Sequence, residues 1–277
     1  MMTRVTTAWC LKRLGLSCAL ALFLVLAAAA QDAPSLDHNV PPPGSPPGQG
    51  LDLVVTWKTL VPNILQDQKR IYTSPLQLAH GKAWLPMLSV VGVTAGLVAL
   101  DPTDTPYFRR TNSLRDFNNV FSGTNMTLGT IAPPVALYLV GLARHDEYTQ
   151  STAFLAGESL ADCQILATLM KGATRRLRPS DIPPDGDFTH TWFRGGTLSS
   201  MGGAGSFPSG HTIAAFAVAT VIARRYPNHR WVPFVSYGIA SLVGFSRITN
   251  QAHFPSDVFM GAALGYAVSR FVVLHRY

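Results

Sequence analysis

Apolar positions gather in long blocks down most of the chain, at 51–66, 84–100, 128–144, 152–171, 212–225, 231–245 and 256–274, with polar, glycine-bearing or proline-bearing segments between them. Alternating apolar and polar runs closed by hairpin turns are missing, so the pattern predicts helices rather than strands. An all-α fold is expected from residue 51 onward, and no internal repeat divides it.

The first residues have a different character. Arg4, Lys12 and Arg13 precede an apolar stretch from Leu14 to Leu26, and Ala27 to Ala30 supply small residues before Gln31. This is the layout of a secretory signal peptide, with maturation expected near Ala30. The apolar stretch is shorter than the roughly 20 residues a membrane span needs. Residues 31–50 are polar and proline-rich, ending in Pro46-Pro47-Gly48-Gln49-Gly50, and read as a tether that buries nothing. The expected organisation is a signal peptide at 1–30, a Pro-rich disordered tether at 31–50 and a helical domain at 51–277.

A soluble globule, a multi-pass membrane protein and a mixed case in which only some segments cross all fit the helical blocks. Those at 84–100 and 256–274 approach spanning length, but the run after His211 soon meets Arg224 and Arg225, and 152–171 carries Glu158 and Asp162. Such runs are more often core helices of a globular protein. Spanning by 84–100, 128–144 and 152–171 would also bring Lys171 to the cytoplasmic side if the leader delivers residue 31 outside. The expectation is therefore an exported, periplasmic or extracytoplasmic helical globule, with a multi-pass membrane protein as the alternative. Membrane association stays open at this point.

Charge and cysteine narrow little. Lys and Arg number 22 against 15 Asp and Glu, and three of the basic residues lie in the leader. The remaining excess is mild and scattered, with no footprint for nucleic acid. Cys10 and Cys18 leave with the leader and Cys163 stays alone, so no intrachain disulfide is expected.

Three stretches carry candidate chemistry. Gly205-Ser-Phe-Pro-Ser-Gly-His-Thr212 reads as a turn running into a helix, with His211 in the first turn beside unpaired amides that suit an anion such as phosphate. In Lys171-Gly-Ala-Thr-Arg-Arg-Leu-Arg178-Pro179, Lys171 and Arg178 stand two helical turns apart on one face. Pro179 is expected to end that helix at Arg178, making an oxyanion clamp, while Arg175 and Arg176 read as a solvated basic face. In Ser246-Arg247-Ile-Thr-Asn-Gln-Ala-His253-Phe-Pro-Ser-Asp257, Pro255 opens a helix, His253 lies just ahead of it and Asp257 sits in its first turn. A carboxylate there can take the Nδ1–H of His253 and leave Nε2 free as a nucleophile. Taken singly, the last two stretches read sooner as a solvated basic face or headgroup-binding patch and as a structural His–Asp staple of a loop.

In this order and spacing, Lys-x6-Arg-Pro, Pro-Ser-Gly-His and Ser-Arg-x5-His-x3-Asp resemble the three signature motifs of the type 2 phosphatidic acid phosphatase and vanadium haloperoxidase superfamily, over residues 171–257. The stretch at 205–212 is also similar to that of bacterial class A acid phosphatases and of membrane lipid phosphatases. The resemblance implies a bundle of about six core helices. It further implies hydrolysis of phosphate monoesters or lipid phosphates through a phosphohistidine on His253, oriented by Asp257, with His211 as acid and then base. Lys171, Arg178 and Arg247, with Ser209 and the Gly210 amide, match the family's phosphate-binding groups.

Each role suits its residue, because phosphoryl transfer needs positioning and neutralisation of charge over three oxygens. The partner implied is a phosphate ester or phospholipid substrate. No metal motif appears and no cofactor is expected; vanadate is expected as an inhibitor. In the alternative, a haloperoxidase, vanadate would be the prosthetic group of the same pocket. Among other residues, His190, Trp192 and Arg194 read as ordinary loop residues. Asn125-Met-Thr127 is a glycosylation pattern only in a host that glycosylates. Glu158 and Asp162 share one helical face and read as a buried partner for the basic cluster or a polar bundle face, rather than as a metal site. Oligomeric state has no signal in the sequence.

Overall fold

The computed structural model describes residues 57–78, 84–110, 114–121, 123–195 and 205–276. The signal-peptide and tether readings lie outside the described residues. Eight α-helices are present among the described residues and no strand: α1 Trp57–Leu78, α2 Trp84–Arg110, α3 Arg115–Val120, α4 Gly123–Ala143, α5 Glu147–Thr174, α6 Gly210–Arg225, α7 Trp231–Thr249 and α8 Pro255–Ala267. A π-helical turn over Val268–Val273 and a 3-10 turn over Leu274–Arg276 continue the last helix.

Local chemistry sets several of these boundaries. Asp146 caps α5, its carboxylate accepting the amides of Tyr148 and Thr149 at 3.0 and 3.2 Å and so satisfying two of the donors that a helix start leaves open. Pro255 occupies the first turn of α8 as its missing N–H allows. At the other end of α5 the expected boundary moves. The helix stops at Thr174, not at Arg178, because Arg175 adopts a left-handed conformation with φ 42° and closes the last turn through its amide to the Lys171 carbonyl at 2.9 Å. Lys171 and Arg178 therefore do not share a helical stripe.

Two helices outrun their apolar blocks. α2 continues through Pro102 and Pro106 to Arg110, although interior prolines normally end a water-exposed helix. α1 continues through the polar run after Gln66 to Leu78.

The centre of the bundle is built from α5, α6 and the last helix. Leu155, Cys163 and Leu166 meet Ile213, Ala217 and Val221, with Val268, Val273 and Ile71 completing the cluster. Glycine allows α6 and α8 to approach closely: a Cβ on Gly261 would stand 2.8 Å from the Ser209 carbonyl oxygen. That contact seats the start of α6, where one candidate motif lies, against the middle of α8.

Among the described residues, three stretches, Trp84–Arg110, Glu147–Asp181 and Pro255–Arg276, are long and apolar enough to cross a membrane. Glu158 and Asp162 had argued against spanning, yet both are fully buried. Glu158 accepts from Asn63 at 3.3 Å and pairs with Arg276, and Asp162 accepts from Gln68 at 2.7 Å. Carboxylates that face the bundle interior with partners are compatible with a span; they serve Arg276 and the polar side of α1, not the basic cluster at 171–178. Apolar side chains instead face outward, including Leu128, Ile131, Val135, Leu139 and Leu142 on α4 and Phe234, Val235, Ile239 and Leu242 on α7. So extensive an exposed apolar surface suits lipid rather than water. The chain is a membrane protein, and the helices favour the multi-pass alternative over the soluble exported globule.

Candidate active site

Backbone hydrogen bonds stitch the three motif segments together. The Ser206 amide donates to the Arg176 carbonyl at 2.8 Å, the Ser209 amide to the Asp257 carbonyl at 3.0 Å, and the Ser180 amide to the Gln251 carbonyl at 2.9 Å. Each bond joins a different pair of motif segments. Gly205 permits the first of these approaches, since a Cβ there would meet the Lys171 carbonyl oxygen at 2.7 Å. Arg109 at the end of α2 anchors the loop after the first motif, donating to the carbonyls of Pro179, Ile182 and Pro183 at 2.5 to 2.9 Å.

His253 is buried at the centre of this junction. Its Nδ1 lies 2.8 Å from the Ser206 carbonyl oxygen, and Oδ2 of Asp257 is 3.7 Å away. The proton on Nδ1 therefore goes to the backbone carbonyl, and the direct hydrogen bond expected from Asp257 does not form at that distance. Asp257 is linked to the ring through Ser206, whose hydroxyl donates to Oδ2. The same Oδ2 accepts the Phe254 amide at 2.9 Å, fixing the chain where it enters α8.

Burial holds the imidazole below the ordinary histidine range; the Asp257 charge opposes this, and the Lys171 and Arg178 charges reinforce it. Both cations thus bear on His253 despite leaving the single helical stripe. Arg178 is extended and opens a 3-10 turn over Pro179–Asp181. The Lys171 ammonium lies against the start of α6, 3.0 Å from where a Gly210 Cβ would be.

The remaining candidates are distributed as follows. Ser209 is buried and accepts from the Thr212 hydroxyl at 2.8 Å, and the Gly210 carbonyl accepts from Gln164 at 3.0 Å. His211 stands in the first turn of α6, its Nε2 3.4 Å from the Thr127 hydroxyl of α4. Arg247 is close through its backbone, its carbonyl accepting the His253 amide at 3.1 Å. Its guanidinium, however, donates to the Phe121 carbonyl and to Ser246.

The feature that sequence reasoning missed is Arg176. Far from a solvated face, it is 1% exposed. It donates to Asp257 Oδ1 at 2.6 Å, to Ser256 at 2.7 Å, to Asp101 Oδ2 at 2.6 Å and to Thr191 at 3.2 Å. Trp192 and Phe254 take its guanidinium at 4.5 and 4.0 Å from their ring centroids. Asp101 is equally buried and also accepts from the Ser256 amide at 3.3 Å. The left-handed turn at Arg175, which drives the next side chain inward, has no signature in a sequence that reads Arg-Arg.

Residues 152–277 match the family model described as the PAP2 superfamily. The match takes in a little under half of the chain, and over it the chain is similar to that superfamily. A 66-residue stretch is 47% identical to a lipid A 1-phosphatase of Porphyromonas gingivalis, covering 24% of this chain and 15% of that protein. Over 101 residues the chain is 37% identical to a lipid A 1-phosphatase of Rhizobium etli, covering 36% of this chain and 40% of that one. The chain thus spans less than half the length of either relative. The crystal structure of LpxE from Aquifex aeolicus aligns with a TM-score of 0.41 at 24% identity, over 66% of this chain and 94% of that one. All eight motif candidates, from Lys171 to Asp257, lie inside the PAP2 segment. Asp101, Arg109 and Thr127 lie outside it.

Proposed function

We propose that the chain is a membrane-embedded, metal-independent phosphatase of lipid phosphates that works through a phosphohistidine on His253. The observation that carries the reading is the junction itself: a buried imidazole with its Nδ1 proton held by a backbone carbonyl, under the combined charges of Lys171, Arg178 and Asp257. Nε2 keeps its lone pair and attacks phosphorus. The alkoxide leaves with a proton from His211, which then takes one from water as the oxygen of that water displaces His253 and releases inorganic phosphate. Lys171, Arg178, Ser209 and the Gly210 amide neutralise and orient the three equatorial oxygens, with Arg247 joining them once its guanidinium turns from the Phe121 carbonyl. Preorganised donors in a water-poor site are the main source of rate in such a transfer.

The lipid part of the reading draws on the outward apolar faces of α4 and α7 and on relatives named as lipid A phosphatases. Those relatives give the haloperoxidase alternative no support. The test is phosphate release from phosphatidate and from lipid A by the detergent-solubilised chain. Activity on either, inhibited by vanadate and unaffected by EDTA, is expected. Turnover confined to water-soluble esters would overturn the substrate class, and loss of activity in EDTA would overturn metal independence.

A further inference from the structure

We propose that Arg176 and Asp101 are positioning residues for His253: Asp101 aims Arg176, Arg176 fixes the Asp257 carboxylate, and Asp257 acts with Ser206 on the imidazole. The kinetic arm of this proposal rests on the phosphatase reading above. Asp101 comes from α2, outside the PAP2 segment, so the site would depend on a helix that the family match does not cover.

The contacts favour aiming over simple gluing. Arg176 offers both ends of its planar fork to carboxylates, Nη1 to Asp257 and Nη2 to Asp101, each at 2.6 Å. Its faces are held between Trp192 and Phe254, so the guanidinium cannot rotate away. Asp257 has one oxygen on Arg176 and the other on Ser206 and the Phe254 amide, leaving its plane no freedom relative to the ring. A buried ion pair returns little net stability once desolvation is counted, so stability alone gives weak reason to bury three charges here. Two carboxylates and one guanidinium leave one negative charge beside an imidazole that becomes positive as it takes up phosphorus.

The charges facing His253 are Asp257 on α8, Lys171 on α5 and Arg178 after it; Arg176 and Asp101 stand behind Asp257. The signs of the expected effects follow. Arg176→Gln removes a cation from behind Asp257 and should raise the pH at which His253 titrates. Asp101→Asn removes an anion and should lower it. Arg176→Lys keeps the charge but loses the fork, so it should leave the titration nearly in place while kcat stays depressed.

The experiment is a histidine NMR titration of the full chain in detergent, with His253 assigned from a His253→Gln variant, alongside kcat and KM on a lipid phosphate. Opposite titration shifts in Arg176→Gln and Asp101→Asn are expected, with kcat down about 10²-fold, the scale of a roughly 1 Å misplacement, and KM little changed. An unmoved titration in folded Arg176→Gln or Asp101→Asn, or a loss confined to KM, overturns the proposal. Should Arg176→Gln fail to fold, the downward titration shift in Asp101→Asn and a depressed kcat at unmoved titration in Arg176→Lys carry the test, and the absence of either overturns the proposal. If the unaltered chain turns over no phosphate ester, the phosphatase reading fails while the titration still decides the positioning role.

Discussion

Nδ1 of His253 is nearer to the carbonyl oxygen of Ser206, at 2.8 Å, than to the carboxylate of Asp257, at 3.7 Å. Tautomer and charge are thus supplied by different groups: the carbonyl holds the proton, and Asp257 provides the negative field.

Substitutions should separate the two contributions. Ser206→Ala keeps the carbonyl and removes only the hydroxyl bridge, so kcat/KM should fall about tenfold, the worth of one hydrogen bond to a charged group. Asp257→Asn also removes the charge and loosens the entry to α8, and should cost roughly 10²-fold or more. Steady-state kinetics on a lipid phosphate would check the order; a more damaging Ser206→Ala would show that the hydroxyl, not the carboxylate, dominates.

The pH dependence follows from burial of the ring. His253 must be neutral to attack, and its proton affinity is held below the ordinary value of about 6.5. Activity should therefore survive as pH falls through that value and disappear only below it. Stability gives way sooner: the unfolded chain takes up the proton first, so the fold should begin to weaken as pH drops below the ordinary histidine value, before the ring in the folded chain is protonated. A kcat/KM profile whose acid limb lies above the ordinary value would contradict this.

Close approach of α6 and α8 is needed to join Ser209 to Asp257. Gly261→Ala places a methyl against the Ser209 carbonyl and should cost about 1–3 kcal/mol through overpacking. Thermal unfolding in detergent would measure the loss, and activity should fall with it because the strain lands on a motif segment. A variant with unaltered stability and rate would mean that the helix contact is looser than it looks.

Much of this could be read along the chain, and the misses have physical causes. The all-α class and the starts of α6 and α8 followed from apolar blocks with local punctuation at Pro208 to Gly210 and at Pro255. The end of α5 did not, because a left-handed Arg175 is decided by packing of the loop rather than by residue type. Asp101 was hidden by its neighbour: Pro102 looks like a helix stop, but α2 runs past it. Glu158 and Asp162 looked like obstacles to a membrane span because their partners, Asn63, Gln68 and Arg276, lie about 90 or more positions away in sequence. Long-range pairing of polar groups is what a one-dimensional reading lacks.

The most direct test of the account is to find the phosphorus on the enzyme. A His211→Ala variant incubated with an aryl phosphate, whose leaving group needs no acid, should accumulate an acid-labile, base-stable phosphoryl adduct that peptide mapping assigns to His253, and the adduct should vanish in His211→Ala/His253→Ala. Phosphate on any other residue, or undiminished turnover in His253→Ala, would contradict it.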